Sequence, residues 1–525
     1  MEKLSTSDIA LLKKKGISEK QLSAQLKAFK TGFPYISLQE AATVGNGKII
    51  SFSQKEIDRY VDFYDEMSSI CDIQKFVPAS GAATRMFKSL FAYYDELKAG
   101  CSKRSKAGNN ECNKTGSSAK PTGEAAEFFK HIKDFPFYKE LSAKVKDFSN
   151  HKEVLRALLE KENGLNYGSL PKGLLLFHIE EKTPVTAIEE HLMEAAEYAA
   201  TKIHFTVSSE HLSEFKKKVK EVLPKYEKKF GIKYNITYSI QNPATDTVAV
   251  TLDNKIFRDE KRQIVFRPGG HGALIENVNA LDSELVFIKN IDNITTSKKR
   301  SDTLRYKKLI GAYLIAIKDN IHGFLNDLSS KNFVESDIEA IEFFAERLFI
   351  DTPDKYKKFS FAEKKAYWKK AFNAPIRVCG MVKNEGEPGG GPFFTVSDSS
   401  PKAGSKLTTG NKHTSLQIVE SSQIDLKNAK QKAIFEQSTH FNPVDLACWI
   451  RDYKGKKFDL KKYIDPSTAF ITEKSVKGKN IKAMELPGLW NGAMAKWITC
   501  FVETPISVFT PVKTVTDLLR PAHQG

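Results

Sequence analysis

Two rhythms of apolar residues divide this chain. Ile57, Tyr60, Val61 and Tyr64 recur at i, i+3, i+4 and i+7, the spacing of one stripe along a helix. Ser53 with Glu56, and Ser18 with Gln21, stand at the separation that lets side chains satisfy the orphan amides of a helix start. Residues 1–70 are therefore predicted to be a helical amino-terminal extension whose stripe packs against the main domain. Phe76 to Met86 reads differently, as the end of a short strand, a turn of small residues and the beginning of a helix. From Pro184, the positions Val185, Ile188, Leu192, Ala195 and Ala199 predict an amphipathic helix with Thr183 as its cap and Pro184 in its first turn. His204 to Val207 reads as a strand, and Leu212, Phe215, Val219, Val222 and Tyr226 line a helix that stops before Gly231. Tyr234 to Ile240 and Thr247 to Leu252 alternate as strands do.

Strand, helix and strand in succession predict an α/β fold with a mostly parallel, doubly wound sheet, its core over residues 71–300. Within that core, Cys101 to Gly123 is rich in Ser, Gly, Asn and Lys and poor in apolar residues, which predicts a mobile surface insertion. Leu170-Pro171-Lys172-Gly173 forms a loop that enters a strand at Leu174 to Phe177. Residues 301–372 turn helical and charged, an insertion or a lid. β character returns at Arg377 to Val382, Phe393 to Val396 and Leu416 to Val419. Thr499 to Leu519 reads as a strand, a proline-bounded turn and a short helix, so residues 373–525 complete the core. No internal repeat is visible.

Composition narrows the class. The 525 residues are 41% hydrophobic and 28% charged, as expected of a globular protein with a large core. The formal net charge of +17 would attract phosphate-rich ligands, small anions as readily as nucleic acid. Because Lys and Arg are spread among abundant Asp and Glu, nucleic acid is not the expected partner. The amino terminus lacks the apolar core of a secretory signal, and no stretch approaches the length of a membrane span. Six scattered cysteines without a C-x-x-C pair support neither a disulfide framework nor a zinc site. A cytoplasmic, reduced protein without membrane contact is expected.

Four clusters carry candidate chemistry. In Ser80-Gly81-Ala82-Ala83-Thr84-Arg85-Met86, small residues leave backbone N–H groups exposed at a helix start, an anion cradle to which Thr84 adds a hydroxyl and Arg85 a bidentate phosphate donor. The turn Gly269, Gly270, His271 and Gly272 removes side chains where a flat base or a phosphate could press close. After the apolar run Leu285 to Ile288, Asp292 and Asn293 stand where open α/β sheets bind ligands, and Asp292 can hold a divalent cation. A second glycine run, residues 380–394, either places Lys383, Glu385, Glu387 and Gly389 to Gly391 where a sugar and its phosphate could be held or simply forms a hairpin or a mobile loop. Glu420 and the Trp490-Asn491-Gly492 segment are further sugar-contact candidates, Trp490 serving equally well as a core residue. Gln241, with Asn242 and Thr245, could read a base edge or simply form a surface loop. The glycines flanking His271 suggest a ring fixed by the turn or bonded to a nucleotide, not an acid–base catalyst.

Taken in chain order, these blocks resemble a known group. Residues 80–86 resemble the nucleotidyltransferase signature G-x-G-T-R-[LM], and Leu170-Pro171-Lys172 resembles its downstream Pro-Lys element. The Gly270-His271-Gly272 turn, the Asp292-Asn293 pair, and Pro511-Val512-Lys513-Thr514 with Asp517-Leu518-Leu519 extend the resemblance to UDP-sugar pyrophosphorylases, closest to an uncharacterised bacterial domain-of-unknown-function branch. The resemblance implies a GT-A-like nucleotide-diphospho-sugar transferase fold. It also implies an Mg²⁺-assisted reaction in which a sugar 1-phosphate attacks a nucleoside triphosphate, UTP being favoured, and pyrophosphate leaves. Under it, Arg85 and Lys172 would neutralise the triphosphate, with Ser80, Gly81, Ala82 and Thr84 cradling it. Gln241 and Gly269 to Gly272 would meet the base, Asp292 the metal, and Lys513 would bridge the two phosphates. Asn293, Lys383, Glu387, Gly390, Glu420 and Asn491 would contact the sugar, so that residues 373–525 form the sugar-binding part. Two departures stand out: Ala83 occupies the signature's second glycine position, and the stretch from there to Lys172 is longer than in compact members. Those departures motivate an alternative, an inactive nucleotide- or nucleotide-sugar-binding regulator. If the resemblance holds, Arg85, Lys172, Asp292 and Lys513 must converge on one phosphate chain.

Overall fold

A computed structural model describes residues 4–81, 83–105, 120–387, 389–398, 412–476 and 478–525. Ala82 and most of the predicted 101–123 insertion, residues 106–119, lie outside the described residues. The protein is a mixed α/β chain whose central sheet is mostly parallel. It divides into two compact units, one of residues 1–74, 241–288 and 307–504, the other of residues 75–240, 289–306 and 505–525.

In the first unit, five strands run side by side in the order Ile49–Ile50, Ile498–Thr504, Ile376–Lys383, Asp445–Trp449 and Leu285–Lys289. The first two junctions are parallel, and the Ile376–Lys383 strand meets Asp445–Trp449 antiparallel. Burial on both faces explains why Leu285 to Ile288 reads as an apolar run and not as alternation; Asp445–Trp449 is buried throughout as well, but opens on a charged residue and was not marked by the sequence pattern. An antiparallel sheet of Ser37–Ala41, Gly391–Asp398 and Lys412–Val419 lies in the same unit. The amino-terminal residues are therefore not helical throughout: Leu38 and Ala41 are buried on either side of a register irregularity and pair with the Gly391–Asp398 strand. Both predicted capping boxes form, at Ser18 with Gln21 and at Ser53 with Glu56. Leu12, Ile17, Leu22 and Phe29 from the first helices join Val248, Val250 and Met484 in one apolar cluster. Residues 301–372 hold the helices Ser301–Asp327, Ile338–Arg347 and Phe361–Phe372. Only Thr247–Val248 of the strand expected at 247–252 is in a ladder, since Val250 makes isolated bridges.

In the second unit, the strands Ile73–Pro78, Lys202–Thr206 and Asn235–Ser239 are neighbours, the last two parallel with Lys202 opposite Asn235. The helix expected from Pro184 begins later. Thr183–Thr186 is a strand paired with Leu176–Glu180, the turn between them taking positive φ at Glu181 and Lys182. Thr186 caps the helix Ala187–Glu197, with Glu189 closing the box. Pro184 sits in a hairpin because the hairpin needs no amide there, and period-3.6 counting could not see the turn.

That helix is also not amphipathic, because Ala187 to Ala195 are buried all round. Its charged residues are enclosed because each finds a partner. Glu189 accepts from Tyr226 at 3.0 Å, and Glu194 accepts from Lys75 at 3.2 Å and Lys289 at 2.8 Å. Burial pulls the Lys75 ammonium down to about 8 against the pull of Glu194. Removing one member of such a set leaves uncompensated buried charge. Glu194→Gln is expected to lower the free energy of unfolding by roughly 3–5 kcal/mol in a denaturant titration. A loss under 1 kcal/mol would mean that the two lysines find other partners.

Candidate active site

The 80–86 loop leaves the Ile73–Pro78 strand and enters a single 3₁₀ turn, Ala83–Arg85, before the helix Lys88–Ser105. Small residues suit this path for different reasons. Gly81 is exposed, and a Cβ placed there would meet nothing within 4 Å, so the loop offers open backbone. Ala83 is fully buried, and its N–H donates to the Leu170 carbonyl at 3.1 Å. Its methyl group therefore lies in the core, away from the open face of the loop. The Thr84 hydroxyl donates to the Gly168 carbonyl at 3.4 Å, and the Lys172 N–H reaches the Gly81 carbonyl at 3.5 Å. The first block and the Pro171-Lys172 block are thus adjacent strips of one surface. Ser80 and Arg85 are exposed on it.

Asp292 follows the Leu285–Lys289 strand. One of its oxygens, Oδ2, accepts from Lys172 Nζ at 2.7 Å and from Lys513 Nζ at 3.1 Å. Lys172 Nζ also donates to the Val512 carbonyl at 2.6 Å, and the Val512 N–H returns to the Asp292 carbonyl at 2.9 Å. Burial by itself would raise the Asp292 pKa, but the two ammonium groups hold it below the ordinary aspartate range. The Val515 N–H donates to the Met86 carbonyl at 3.0 Å, which brings the Lys513 segment beside the first block. Three separated blocks therefore meet at one carboxylate, and the loop carrying Arg85 is tied to the same segment. Asn293 serves the fold here, its Oδ1 accepting the Thr510 N–H at 2.9 Å.

Position 173 shows why a glycine follows Lys172. A Cβ there would lie 2.5 Å from the Phe215 ring, so the loop turns only without a side chain.

The remaining candidates belong to the other unit. Gly272 faces its own chain, since a Cβ would lie 2.1 Å from the Pro487 carbonyl oxygen, and one at Gly269 would lie 2.6 Å from the Thr245 oxygen. Gly270 has φ +77° beside the Glu485 carboxylate. These glycines are required by close chain packing whether or not a base lies nearby. The His271 ring stacks on Trp490 with centroids 4.1 Å apart, and its Nδ1 accepts the Leu489 N–H at 3.0 Å. A bare Nδ1 means a neutral ring with its proton on Nε2, which stands 4.0 Å from Glu420 Oε1. Burial, opposed by Glu485, pulls the His271 pKa down to about 4, in keeping with a neutral ring. Burial and the nearby Glu485 raise the Glu420 pKa. Asn491 is buried with Nδ2 3.5 Å from Glu420, and the Gly390 position would bring a Cβ to 3.4 Å from Glu420 Cγ. Gly390, Glu420, Asn491 and His271 thus gather into one polar cluster.

Lys383, Glu387 and Gln241 do not join that cluster by any bond. Lys383 is exposed and pairs with Glu503 at 3.7 Å, Glu387 accepts the Glu385 N–H within its own turn, and Gln241 reaches Thr245 at 3.5 Å. Glu385 is exposed on that same turn.

Periodicity overlooked two contributors. His191 donates from Nε2 to the Ile291 carbonyl at 3.2 Å, fixing the residue before Asp292. Nothing in its i, i+3 pattern marks a histidine turned inward. Gly488, where a Cβ would touch the His271 ring at 2.6 Å, is signalled only by being a glycine two residues before Trp490. Among the described residues, no group of three or more His, Cys, Asp or Glu could hold a metal ion, and no helix is long and apolar enough to cross a membrane.

Two measurements probe these assignments. Because Asp292 titrates below its unfolded value, its contribution to stability is full above about pH 4 and is lost as pH falls through the folded value. Asp292→Asn should therefore unfold more easily than the parent at pH 7, the gap closing below about pH 4; a pH-independent gap would contradict the ion cluster. Gly272→Ala should cost about 1–3 kcal/mol through overpacking. Gly81→Ala should leave the melting temperature unchanged.

No curated protein matches the chain. Among solved structures, it is similar to a single-substitution variant of the UDP-glucose pyrophosphorylase of Leishmania major, at 13% identity and TM-score 0.44, over 98% of this chain and 79% of that one. It is also similar to the uridine diphosphate N-acetylglucosamine pyrophosphorylase of Trypanosoma brucei in complex with an inhibitor, at 11% identity and TM-score 0.45, over 98% and 77%. Residues 5–524 match the model of the family described as a domain of unknown function, DUF4301, and the chain belongs to that family.

Proposed function

We propose that the protein is a nucleotidyltransferase that joins a sugar 1-phosphate to a nucleoside triphosphate, with UTP the favoured donor, and releases pyrophosphate. The observation that carries this reading is the pair of ammonium groups, Lys172 and Lys513, on one oxygen of Asp292. The open backbone at Gly81 and the exposed Arg85 lie on loops tied to the same residues. Such a surface suits a phosphate chain. A sugar-phosphate oxygen would bond to the α-phosphorus as the bond to the bridging oxygen of the β-phosphate breaks, and pyrophosphate would carry that electron pair away. No covalent nucleophile is needed. The work of the protein is to hold two polyanions in line and to neutralise the charge spread over the phosphoryl oxygens.

The proposed roles are those the sequence blocks imply. Arg85, with the backbone of Ser80, Gly81 and Thr84, would bind the triphosphate. Lys172 and Lys513 would move from Asp292 toward phosphate oxygens, exchanging one anion for another at little cost in geometry. Residues 71–300 would be the nucleotide-binding core, with Gln241 and Gly269 to Gly272 toward the base. Residues 373–525 would carry the sugar contacts, Gly390, Glu420 and Asn491 being favoured by their clustering with His271. Asn293, Lys383 and Glu387 remain weaker members of that set, because their bonds are already within the fold.

The donor set also bears on the metal. One carboxylate beside two lysines does not make a preformed cation cage, but it fits an Mg²⁺ ion that arrives on a phosphate chain, which needs few protein ligands. Asp292 would hold it, and when bound the ion would supply further neutralisation of phosphoryl charge. Ala83 supports activity over the inactive alternative, because its buried methyl group takes no room from the cradle.

The decisive assay is pyrophosphate release with nucleoside triphosphates and a panel of sugar 1-phosphates in the presence of Mg²⁺. Lys172→Ala and Asp292→Ala should each reduce turnover by about 100-fold or more. Gly81→Ala, though folded, should weaken nucleotide binding. Nucleotide-induced thermal stabilisation without pyrophosphate from any pair would replace this reading with that of a binding protein.

A further inference from the structure

The 505–525 segment supplies two atoms to the Asp292 cluster, the Lys513 ammonium and the Val512 carbonyl. It reaches that cluster as a succession of turns, with one isolated bridge, Asn293 to Pro511. Asp517 Oδ2 accepts the N–H groups of Lys513 and Thr514, both at 2.7 Å. The Arg520 N–H donates to the Asp517 carbonyl, and the His523 N–H donates to the Arg520 carbonyl. Each turn is bonded to the next, so the placement of His523 propagates to Lys513.

His523 is itself placed by a buried polar chain. Its Nδ1 lies 2.8 Å from His178 Nε2, and His178 Nδ1 lies 2.6 Å from Glu190 Oε1. The other Glu190 oxygen accepts from Arg300, whose second arm donates to Glu197 at 2.8 Å. His178, Glu190, Arg300 and His523 are all at most 2% exposed. Burial raises the Glu190 pKa, but the Arg300 guanidinium bonded to its other oxygen opposes this, and as a carboxylate it accepts the proton of His178 Nδ1, which leaves Nε2 bare. That bare nitrogen then requires a donor, and His523 Nδ1–H provides it. Apolar side chains of similar size would fill this space without a desolvation penalty. What the polar chain adds is direction: only one orientation of the His523 ring satisfies it.

We propose that His523 is a positioning residue, latching the 505–525 segment through His178 so that Lys513 and the Val512 carbonyl face Lys172 and Asp292. Its consequence for turnover rests on the nucleotidyltransferase reading, but the latch does not. The test compares His523→Gln with His523→Met, side chains of similar length and shape of which only glutamine can donate to His178. Backbone hydrogen exchange at Val512 and Val515 reads the docking of the segment directly, because those amides bond to the Asp292 and Met86 carbonyls. His523→Met should speed their exchange by about tenfold, the value of one lost hydrogen bond, while the Ala187–Glu197 helix stays protected. His523→Gln should hold both amides near the parent rate.

Equal exchange in the two variants overturns the latch, whether or not the protein turns over any substrate. Where the parent releases pyrophosphate, His523→Met should lower kcat with KM for the nucleotide unchanged. A loosened segment with undiminished kcat would uphold the latch and remove Lys513 from the proposed chemistry.

Discussion

A carboxylate held between two ammonium groups is the constraint on which the candidate site depends. Asp292 is enclosed, and an enclosed charge persists only if it is paired. Lys172 comes from the turn that leads into the Leu176–Glu180 strand, and Lys513 from the 505–525 segment, so pairing Asp292 requires both to arrive. The Val512 carbonyl and N–H close the same knot through backbone atoms. The cluster is thus a folding constraint, tying three separated segments to one carboxylate oxygen.

A second tier of buried polar groups supports the first. Lys75 and Lys289, from two strands, converge on Glu194, while His191 of the same helix holds the Ile291 carbonyl. Those bonds fix the turn that presents Asp292 with respect to the Ala187–Glu197 helix. One helical turn earlier, Glu190 faces Arg300 and His178, and His178 faces His523. The helix is therefore a rod of charges serving the site from behind, which explains why it is buried on every side. Bonded networks of this kind orient their members more strictly than apolar packing does.

The glycine motifs divide by what a side chain would meet. At Gly81 it would meet open space, and at Gly272 the chain's own Pro487. A glycine run in a sequence has the same appearance in both circumstances. Only the neighbour in space tells a ligand-facing glycine from one that lets two loops touch. His271 follows the same rule, because its stacking on Trp490 and its bond to Leu489 come from a segment remote in sequence.

Local rules settled much of the fold. Capping boxes at Ser18 and Ser53 formed because both partners lie within one turn, and the buried Leu285–Lys289 strand announced itself as the apolar run Leu285 to Ile288. The grouping of Arg85, Lys172, Asp292 and Lys513 was expected from the order of blocks resembling a known signature; the structure bonds Lys172 and Lys513 to Asp292, while Arg85 is exposed on the adjoining loop. Other features escaped because their causes are not local. The Thr183–Thr186 strand needed a partner strand, and Ser37–Ala41 needed the distant Gly391–Asp398. The inward charges of the Ala187–Glu197 helix needed lysines and an arginine from elsewhere. Sequence determines which side chains can be charged, which turns can close and which runs must be hidden. Whether a charge is buried is decided only when the opposite charge arrives, and that arrival is a property of the tertiary structure.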